Sequence, residues 1–507
     1  MLFLFRFPRV VFVLMRGGLL GHIERTVPLP SWLAAFFRLA DMLFGKRRGS
    51  RPGIALAEAL TKLGPCFIKF GQALSTRADL LGAEVAADLA TLQDSLPPFS
   101  GTKARQIIAS ELSASVEDVF AEFDDQPVAA ASIAQVHMAR LRDGQDVAVK
   151  ILRPRIRQRM ERDIRFFRAM ARLMEFIAPQ TRPLKLVHAV DQFAHISDVE
   201  LDLRLEGAAA GKLRENHAND DGIYVPRIFW QATTEQMLVL ERVTGTRIDD
   251  REGLMAAGHN IDDITRIAAR CFFVQVFRDG YFHADMHPGN IFIRDDGVLV
   301  PIDFGIMGDL NLKDRLFLAR LLNAMLDRDY DAVAKLHAEA GMISRDVPVE
   351  GFAQAVRAVT EPIMDKPMAA VSLGAVLGQI FGLARRFQVE VQPQFNLLQK
   401  TMVMAEGVGR QLNPEANMWP IARELAEDWA KDQQGLAAQI SSLADKMLMV
   451  GLRLPEFLDK AETALDHLTH PPEATKRPAQ SNEHGKTATY LLLGSIVVLL
   501  FIIVHRM

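Results

Sequence analysis

The chain has 507 residues, enough for about two to four structural units at roughly 150 residues each. Apolar residues make up 49% and charged residues 24%, with 33 Gly and 24 Pro, which excludes collagen-like, low-complexity and wholly disordered chains. The 59 Lys and Arg against 62 Asp and Glu leave a net charge of −3, which argues against a dedicated nucleic-acid binder.

Mean hydropathy is +0.07, high for a soluble protein, and the apolar excess is concentrated at the two ends of the chain. The N-terminus, MLFLFRFPRVVFVLMR, is apolar but interrupted by Arg6, Pro8 and Arg9. A secretory signal keeps its charges ahead of an unbroken apolar stretch, so this segment is not one. The two arginines also disfavour a membrane span. The expectation is an interfacial helix whose arginines snorkel, the alternative being a helix docked on the protein's own surface.

Next, LGPCFIKFGQALSTRADLL (63–81) is apolar with helical spacing, and Lys69 and Gln72 lie inside it. A buried lysine needs an anionic partner. Cys66 in this segment and Cys271 are the only cysteines and form no CxxC pair. That argues against a disulfide framework or a structural zinc, and for a reducing compartment.

Between Gln126 and Val149 the pattern predicts a hairpin entering a third strand. SIAQVHMARL alternates around Val136, Met138 and Leu141, Asp143-Gly144 offers a tight turn, and DVAVKIL is a β-branched strand carrying Lys150. The stretch HISDVELDLRLEGAAAGKLREN (195–216) reads as one helix. At 100° per residue its Glu200 and Glu206 point to different faces, so one helix offers two cations separate acidic partners.

Downstream comes HADMHPGN (283–290), then the short apolar strands NIFI and VLVPID about a Gly297 turn, then Asp303-Phe304-Gly305. Phosphoryl transfer needs an acid near the attacking oxygen and oxygen ligands for Mg²⁺. Asp285 and Asn290 are five residues apart on a loop, and Asp303 lies 13 beyond Asn290. A loop followed by a two-stranded ribbon can gather all three around one metal. These separations recur in the catalytic and metal-binding loops of protein-kinase-like folds, and VAVK lies where their strand lysine would be. His283 and His287 have the spacing of a zinc pair, but Pro288 and Gly289 make this a loop, and roles in holding the loop are expected instead. The turn Ala129-Ala130-Ala131-Ser132 stands where a kinase has its glycine-rich loop. Each Cβ there limits the approach of amides to phosphate, so a different nucleotide pose and poor transfer to proteins are expected.

At the C-terminus, His470–Lys486 is polar and proline-containing and reads as a linker. TATYLLLGSIVVLLFIIV (487–504) then runs 18 residues without a charge. As a helix it spans about 27 Å at 1.5 Å per residue, just enough to cross the hydrocarbon core once. Its twelve Leu, Ile, Val and Phe residues contribute about −4 to −7 kcal/mol towards insertion. Lys476, Arg477 and Lys486 precede the span and only Arg506 follows it, which leaves the main body cytoplasmic.

Taken together, K-x-G-Q (Lys69, Gly71, Gln72), AAASIAQVH (129–137), VAVK, E-L-D-x-x-x-E (Glu200–Glu206), HADMHPGN and DFG resemble the UbiB/ABC1/ADCK/COQ8 atypical kinase-like family. The resemblance runs from about Arg16 to about residue 460. It includes the late stretch VQPQFNLLQKTMVMAEGVGRQLNP, and it is greatest to the bacterial, ubiquinone-biosynthesis branch. It implies an α+β, two-lobed protein-kinase-like fold with an N-terminal helical extension and a C-terminal transmembrane helix. The corresponding division is 1–25 interfacial helix, 26–119 extension, 120–242 N-lobe, 243–465 helical C-lobe, 466–486 linker and 487–504 span.

The resemblance further implies binding of ATP or ADP with Mg²⁺, and ATP hydrolysis rather than ordinary protein phosphorylation. The setting it implies is the bacterial inner membrane, with the lipid bilayer, isoprenoid quinone precursors and other ubiquinone-biosynthesis proteins as partners and no nucleic acid. By the same resemblance, Lys150 holds phosphates and pairs with Glu206, and Lys69 meets Glu200 or Asp202. Asp285 takes the catalytic-base position, Asn290 with Asp303 holds Mg²⁺, and Ala129, Ala130, Ala131, Ser132 and Val136 line the nucleotide. The chain departs from the family at Ala209, where an Asn is usual, and in having one anchor segment where some relatives have two.

Three competing functions are weaker. A small-molecule kinase of the aminoglycoside type shares the Asp-x₄-Asn loop but not the extension or the tail. A quinone-precursor hydroxylase needs a flavin or metal, and Gly407 and Gly409 in GVGRQL lack the third glycine and the preceding strand. A nucleotide-binding scaffold would not need the complete set Lys150, Asp285, Asn290 and Asp303.

Overall fold

The computed structural model describes residues 2–17, 51–75, 83–89, 96–343, 348–364, 371–386, 392–415 and 419–429, with isolated positions at 19, within 31–42, at 92 and at 431. The chain divides into two units, 1–430 and 431–507. All that follows concerns the first. The expected span at 487–504 lies outside the described residues. Among the described residues no helix is long and apolar enough to cross a membrane.

The amphipathic N-terminal stretch forms helix α1 (Leu2–Arg16). Arg6 does not snorkel, because it forms an ion pair with Asp163, a residue only 3% exposed. The inner residues Val13 and Leu14 pack beside Ala55 and Ala59, while Phe7 and Phe12 stay exposed. Pro52 starts helix α2 (Pro52–Leu63), whose first turn needs no amide from it. Gly64, at φ +114°, closes that helix and Pro65 opens α3 (Pro65–Ser75), which carries the K-x-G-Q residues. Arg77 and Asp79 lie outside the described residues. A short helix α4 (Ala83–Leu89) and helix α5 (Gly101–Leu112) complete the extension.

Strands β1 (Phe120–Phe123), β2 (Ala129–Ala130), β3 (Ala134–Leu141), β4 (Asp146–Leu152) and β5 (Met237–Glu241) form a five-stranded sheet in the order β1-β3-β4-β5, with β2 added against β3. The turn between β3 and β4 uses Gly144 at φ +87°. Alternation assigns the faces. Val147, Val149 and Ile151 of β4 are fully buried against Ala104 and Ile108 of α5. The opposite face therefore carries Ala148 and Lys150, and in the β3–β4 register Lys150 stands opposite Val136. Lys150 is thus on an interior strand rather than a solvated edge.

Helices α6 (Ile156–Ile177), α7 (Leu186–Glu200) and α8 (Leu203–Asn216) follow. The stretch 195–216 read as one helix is two, because Asp202 leaves helical geometry and caps α8 by accepting from the Arg204 amide. The break, rather than the 100° periodicity, separates Glu200 from Glu206. An aromatic core fastens the extension here: Phe70 stacks on Phe167 at 4.5 Å and meets Phe193 edge-on at 5.2 Å, while Phe67 meets Phe167 at 4.8 Å. Each such ring contributes roughly 1.5–3 kcal/mol by burial.

The helical lobe holds two small ribbons. Strands β6 (Thr246–Arg247), β8 (Ile291–Ile293) and β9 (Leu299–Pro301) make one, and β7 (Tyr281–His283) with β10 (Met307–Asp309) makes the other. Around them stand α9 (Ile261–Val274), α10 (Leu312–Leu326), α11 (Tyr330–Glu339), α12 (Val349–Met364), α13 (Leu373–Arg386) and α14 (Pro393–Leu412). Their shared core centres on Phe272, Phe273, Phe317, Phe352, Phe395 and Trp419.

Candidate functional site

The hairpin of β8 and β9 collapses the long sequence gap between Asn290 and Asp303. Ile291 pairs with Pro301, the turn uses Gly297 at φ +83°, and the Ile302 amide donates to the Asn290 carbonyl at 3.0 Å. Asp303 is the next residue, so the two expected metal ligands leave neighbouring points of one ribbon. Asp285 joins through the loop itself, where the His287 amide donates to the Asp285 carbonyl at 2.7 Å and the Asn290 amide to the His287 carbonyl at 2.8 Å.

Lys150 reaches this ribbon from above. Its Nζ donates to Glu206 Oε1 at 2.7 Å and Oε2 at 2.9 Å, and to Asp303 Oδ1 at 3.4 Å. Burial works to discharge the ammonium, but Asp303 and Glu206 overcome it and hold the lysine protonated well above its usual range. Lys150 in turn holds the Asp303 carboxyl well below the ordinary carboxylate range, aided by the Gly305 amide donating to Oδ1 at 3.2 Å. Burial pushes Glu206 upward and Lys150 pulls it back.

The Asp303 side chain remains 43% exposed despite these bonds, which leaves carboxylate oxygen open to the cleft. Oxygen donors from Asp303 and Asn290 suit a hard cation such as Mg²⁺ that completes its shell with phosphate and water. Among the described residues no three His, Cys, Asp or Glu side chains converge as a metal centre of their own.

The remaining expected residues separate into three groups. Lys69 pairs with Glu200, with Nζ 3.3 Å from Oε2 and 3.4 Å from Oε1. Asp202 instead binds the Arg204 guanidinium at 2.6 and 2.8 Å. Gln72 donates to the Leu92 carbonyl at 3.3 Å, and a Cβ on Gly71 would come within 2.6 Å of both Leu60 and Leu92, so these two residues fasten the extension to itself. Ala129 and Ala130 form β2 opposite Val136 and Gln135, and Ala131 and Ser132 enter the turn to β3. Ala209, the departure from the family pattern, packs at the edge of the core shared by the extension and the N-lobe.

The two loop histidines diverge. His283 is 1% exposed and its Nδ1 accepts from the Asp285 amide at 3.2 Å, while His287 is exposed and its Nδ1 accepts from the Gly289 amide at 3.1 Å. Gly407 and Gly409 lie inside helix α14, so no dinucleotide-binding turn exists there.

Several residues that help build the site were given no role by the sequence reading. Gln275, in a π turn (Gln275–Asp279) that extends α9, accepts from the His283 amide at 2.8 Å, a use of π geometry common beside functional sites. Thr401 of α14 donates to the Ala284 carbonyl at 3.0 Å. Gln135 of β3 binds both the amide and the carbonyl of Phe99, at 2.9 and 3.1 Å, and contacts His137, whose other ring nitrogen donates to the Asp124 carbonyl. Their partners are mostly main-chain groups, 8 to 117 residues away in sequence.

Comparison with known proteins finds relatives along most of the chain. Residues 91–337 match the ABC1 atypical kinase-like domain and residues 356–417 the UbiB helical domain. The chain is 40% identical over 471 residues to the probable protein kinase UbiB of Aeromonas hydrophila, covering 92% of this chain and 86% of that one. It is 39% identical over 480 residues to the corresponding protein of Azotobacter vinelandii, covering 93% and 89%. Against that of Vibrio parahaemolyticus the identity is 43% over 410 residues, covering 80% and 75%. Among solved structures, Rv3197 of Mycobacterium tuberculosis in complex with erythromycin aligns with a TM-score of 0.50 at 23% identity, covering 77% of this chain and 96% of that one, a likeness of fold.

Proposed function

The chain belongs to the UbiB family of ABC1 atypical kinase-like proteins, and from that premise we propose that it is a membrane-anchored ATPase supporting ubiquinone biosynthesis. The observation that carries the reading is the Lys150 ammonium bound to Glu206 and Asp303 together, with Asn290 one hairpin rung away. Lys150 would hold nucleotide phosphates, and Asp303 and Asn290 would hold Mg²⁺. Bound Mg²⁺ supplies neutralisation of charge on the phosphate oxygens. Asp285, on the loop just before Asn290, would orient the attacking hydroxyl or water and take up its proton.

Hydrolysis is favoured over protein phosphorylation because the turn at 131–134 has no glycine and is fastened to the extension. The anchor is assigned to 487–504, crossing the inner membrane once with the body in the cytoplasm. Hydrolysis at such a site could drive isoprenoid quinone precursors out of the bilayer towards the other enzymes of the route.

The test is quinone content in a bacterium lacking its own copy of this protein. Wild type restores quinone, whereas Asp303→Asn and a truncation lacking residues 487–507 do not, and the truncated chain is released by alkaline carbonate. Restoration by Asp303→Asn would overturn the reading.

A further inference from the structure

The turn between β2 and β3 is a two-residue loop, Ser132 and Ile133, closed by the Ala131 amide donating to the Ala134 carbonyl at 2.8 Å. Two-residue hairpin loops favour positive φ, because only then does their twist match that of the strands. Neither Ser132 nor Ile133 has positive φ. Outside contacts must therefore hold the loop in shape.

Arg153 supplies them. Its amide donates to the Ile133 carbonyl at 2.7 Å, and its Nε and Nη2 donate to the Ala131 carbonyl at 3.0 and 2.8 Å. The same guanidinium reaches the segment of the extension just before α5: Nη1 donates to the Pro97 carbonyl at 2.9 Å and Nη2 to the Leu96 carbonyl at 3.1 Å. Gln135 binds Phe99 two residues further on, so residues 96–99 form a strap held at both ends. Arg153 is 9% exposed, and a buried guanidinium with all these acceptors is geometrically rigid. Ser132 is fully buried, and its hydroxyl has no hydrogen-bond partner among the described residues. A buried hydroxyl left open in a braced turn is a group that an ordered water completes, or that finds a partner once the turn shifts.

We propose that Arg153 is a positioning residue for the nucleotide, and that the strap at 96–99 sets, through Arg153, the conformation in which the glycine-free turn meets the phosphates. This rests on the nucleotide reading above. The extension thereby does in this chain what glycine does in a flexible phosphate loop, and displacing the strap loosens the turn.

The test is calorimetric binding of MgATP and MgADP to the full chain, with steady-state turnover and hydrogen exchange of residues 96–99 and 128–134. Gln135→Ala touches the strap and not the loop at 132–133; it should weaken MgATP binding about fivefold or more and raise exchange in both segments. Arg153→Ala should weaken binding by more than about tenfold, with Arg153→Lys in between. KM for ATP should rise while kcat at saturation changes less than about twofold, a split that simple loss of folded protein does not produce. If Arg153→Ala does not fold, Gln135→Ala and Arg153→Lys decide. Unchanged affinity in the folded variants, or a strap freed without any change in the turn, would overturn the proposal alone. A wild type that binds no nucleotide would overturn the functional reading and this proposal with it.

Discussion

Thr401 shares its one hydroxyl proton between the Ala284 carbonyl at 3.0 Å and the Leu397 carbonyl one turn back in helix α14 at 2.9 Å, and the first contact joins that helix to the loop carrying Asp285 across 117 residues of sequence. The bond is fully buried, so its loss leaves a desolvated carbonyl, a cost of about 1 kcal/mol or more. Thr401→Val keeps the shape and removes the donor. We expect kcat for ATP turnover to fall about five- to tenfold, with KM changing less than about twofold, because Asp285 is displaced while the phosphate ligands are not. Steady-state kinetics at saturating ATP check this.

Lys150→Met leaves the buried Glu206 carboxylate facing the half-exposed carboxylate of Asp303, and stripping the cation from such a buried partner costs about 3 kcal/mol. Turnover should vanish and the unfolding midpoint fall. Adding Glu206→Gln removes one of the opposed charges, so the double variant should regain most of the stability and none of the activity. Denaturant unfolding beside an ATPase assay separates the two effects.

His137, His283 and His337 all have their pKa lowered by burial. A base whose folded pKa lies below its unfolded value binds its proton more readily when unfolded, so stability is complete above about pH 6.5 and is lost as pH falls below it. Thermal unfolding between pH 7.5 and 5 should show this loss. His337→Leu should flatten the slope, since its Nδ1 serves only the Val333 carbonyl and its other nitrogen has no hydrogen-bond partner among the described residues.

A Cβ on Gly308 would sit 2.1 Å from the ring of Phe282, across the ribbon that launches the HADMHPGN loop. Phe282 is fully buried and cannot swing aside. Gly308→Ala should therefore destabilise by roughly 1–3 kcal/mol and lower turnover with it, read by chemical unfolding.

Much of the site was legible because its residues recur at short spacings in strongly patterned segments. Alternation marked β3 and β4, and Gly297 marked the hairpin that brings Asn290 to Asp303. The break at Asp202 was hidden because no Gly or Pro interrupts the helical pattern there, and only the capping preference of Asp hinted at it. Arg6 was expected to snorkel at a membrane surface, rather than dock its helix on the protein, because its partner Asp163 is 157 residues away. Gln135, Arg153, Gln275 and Thr401 escaped notice for a related reason. They bind main-chain atoms, and a backbone partner leaves no trace in residue identity.

The most direct test of the central claim is Mg²⁺-dependent binding of a non-hydrolysable ATP analogue to the full chain, compared between wild type and Asp303→Asn. The account predicts tight binding that Mg²⁺ strengthens in wild type, and weak binding indifferent to Mg²⁺ in the variant. Equal, Mg²⁺-responsive binding in both would contradict it.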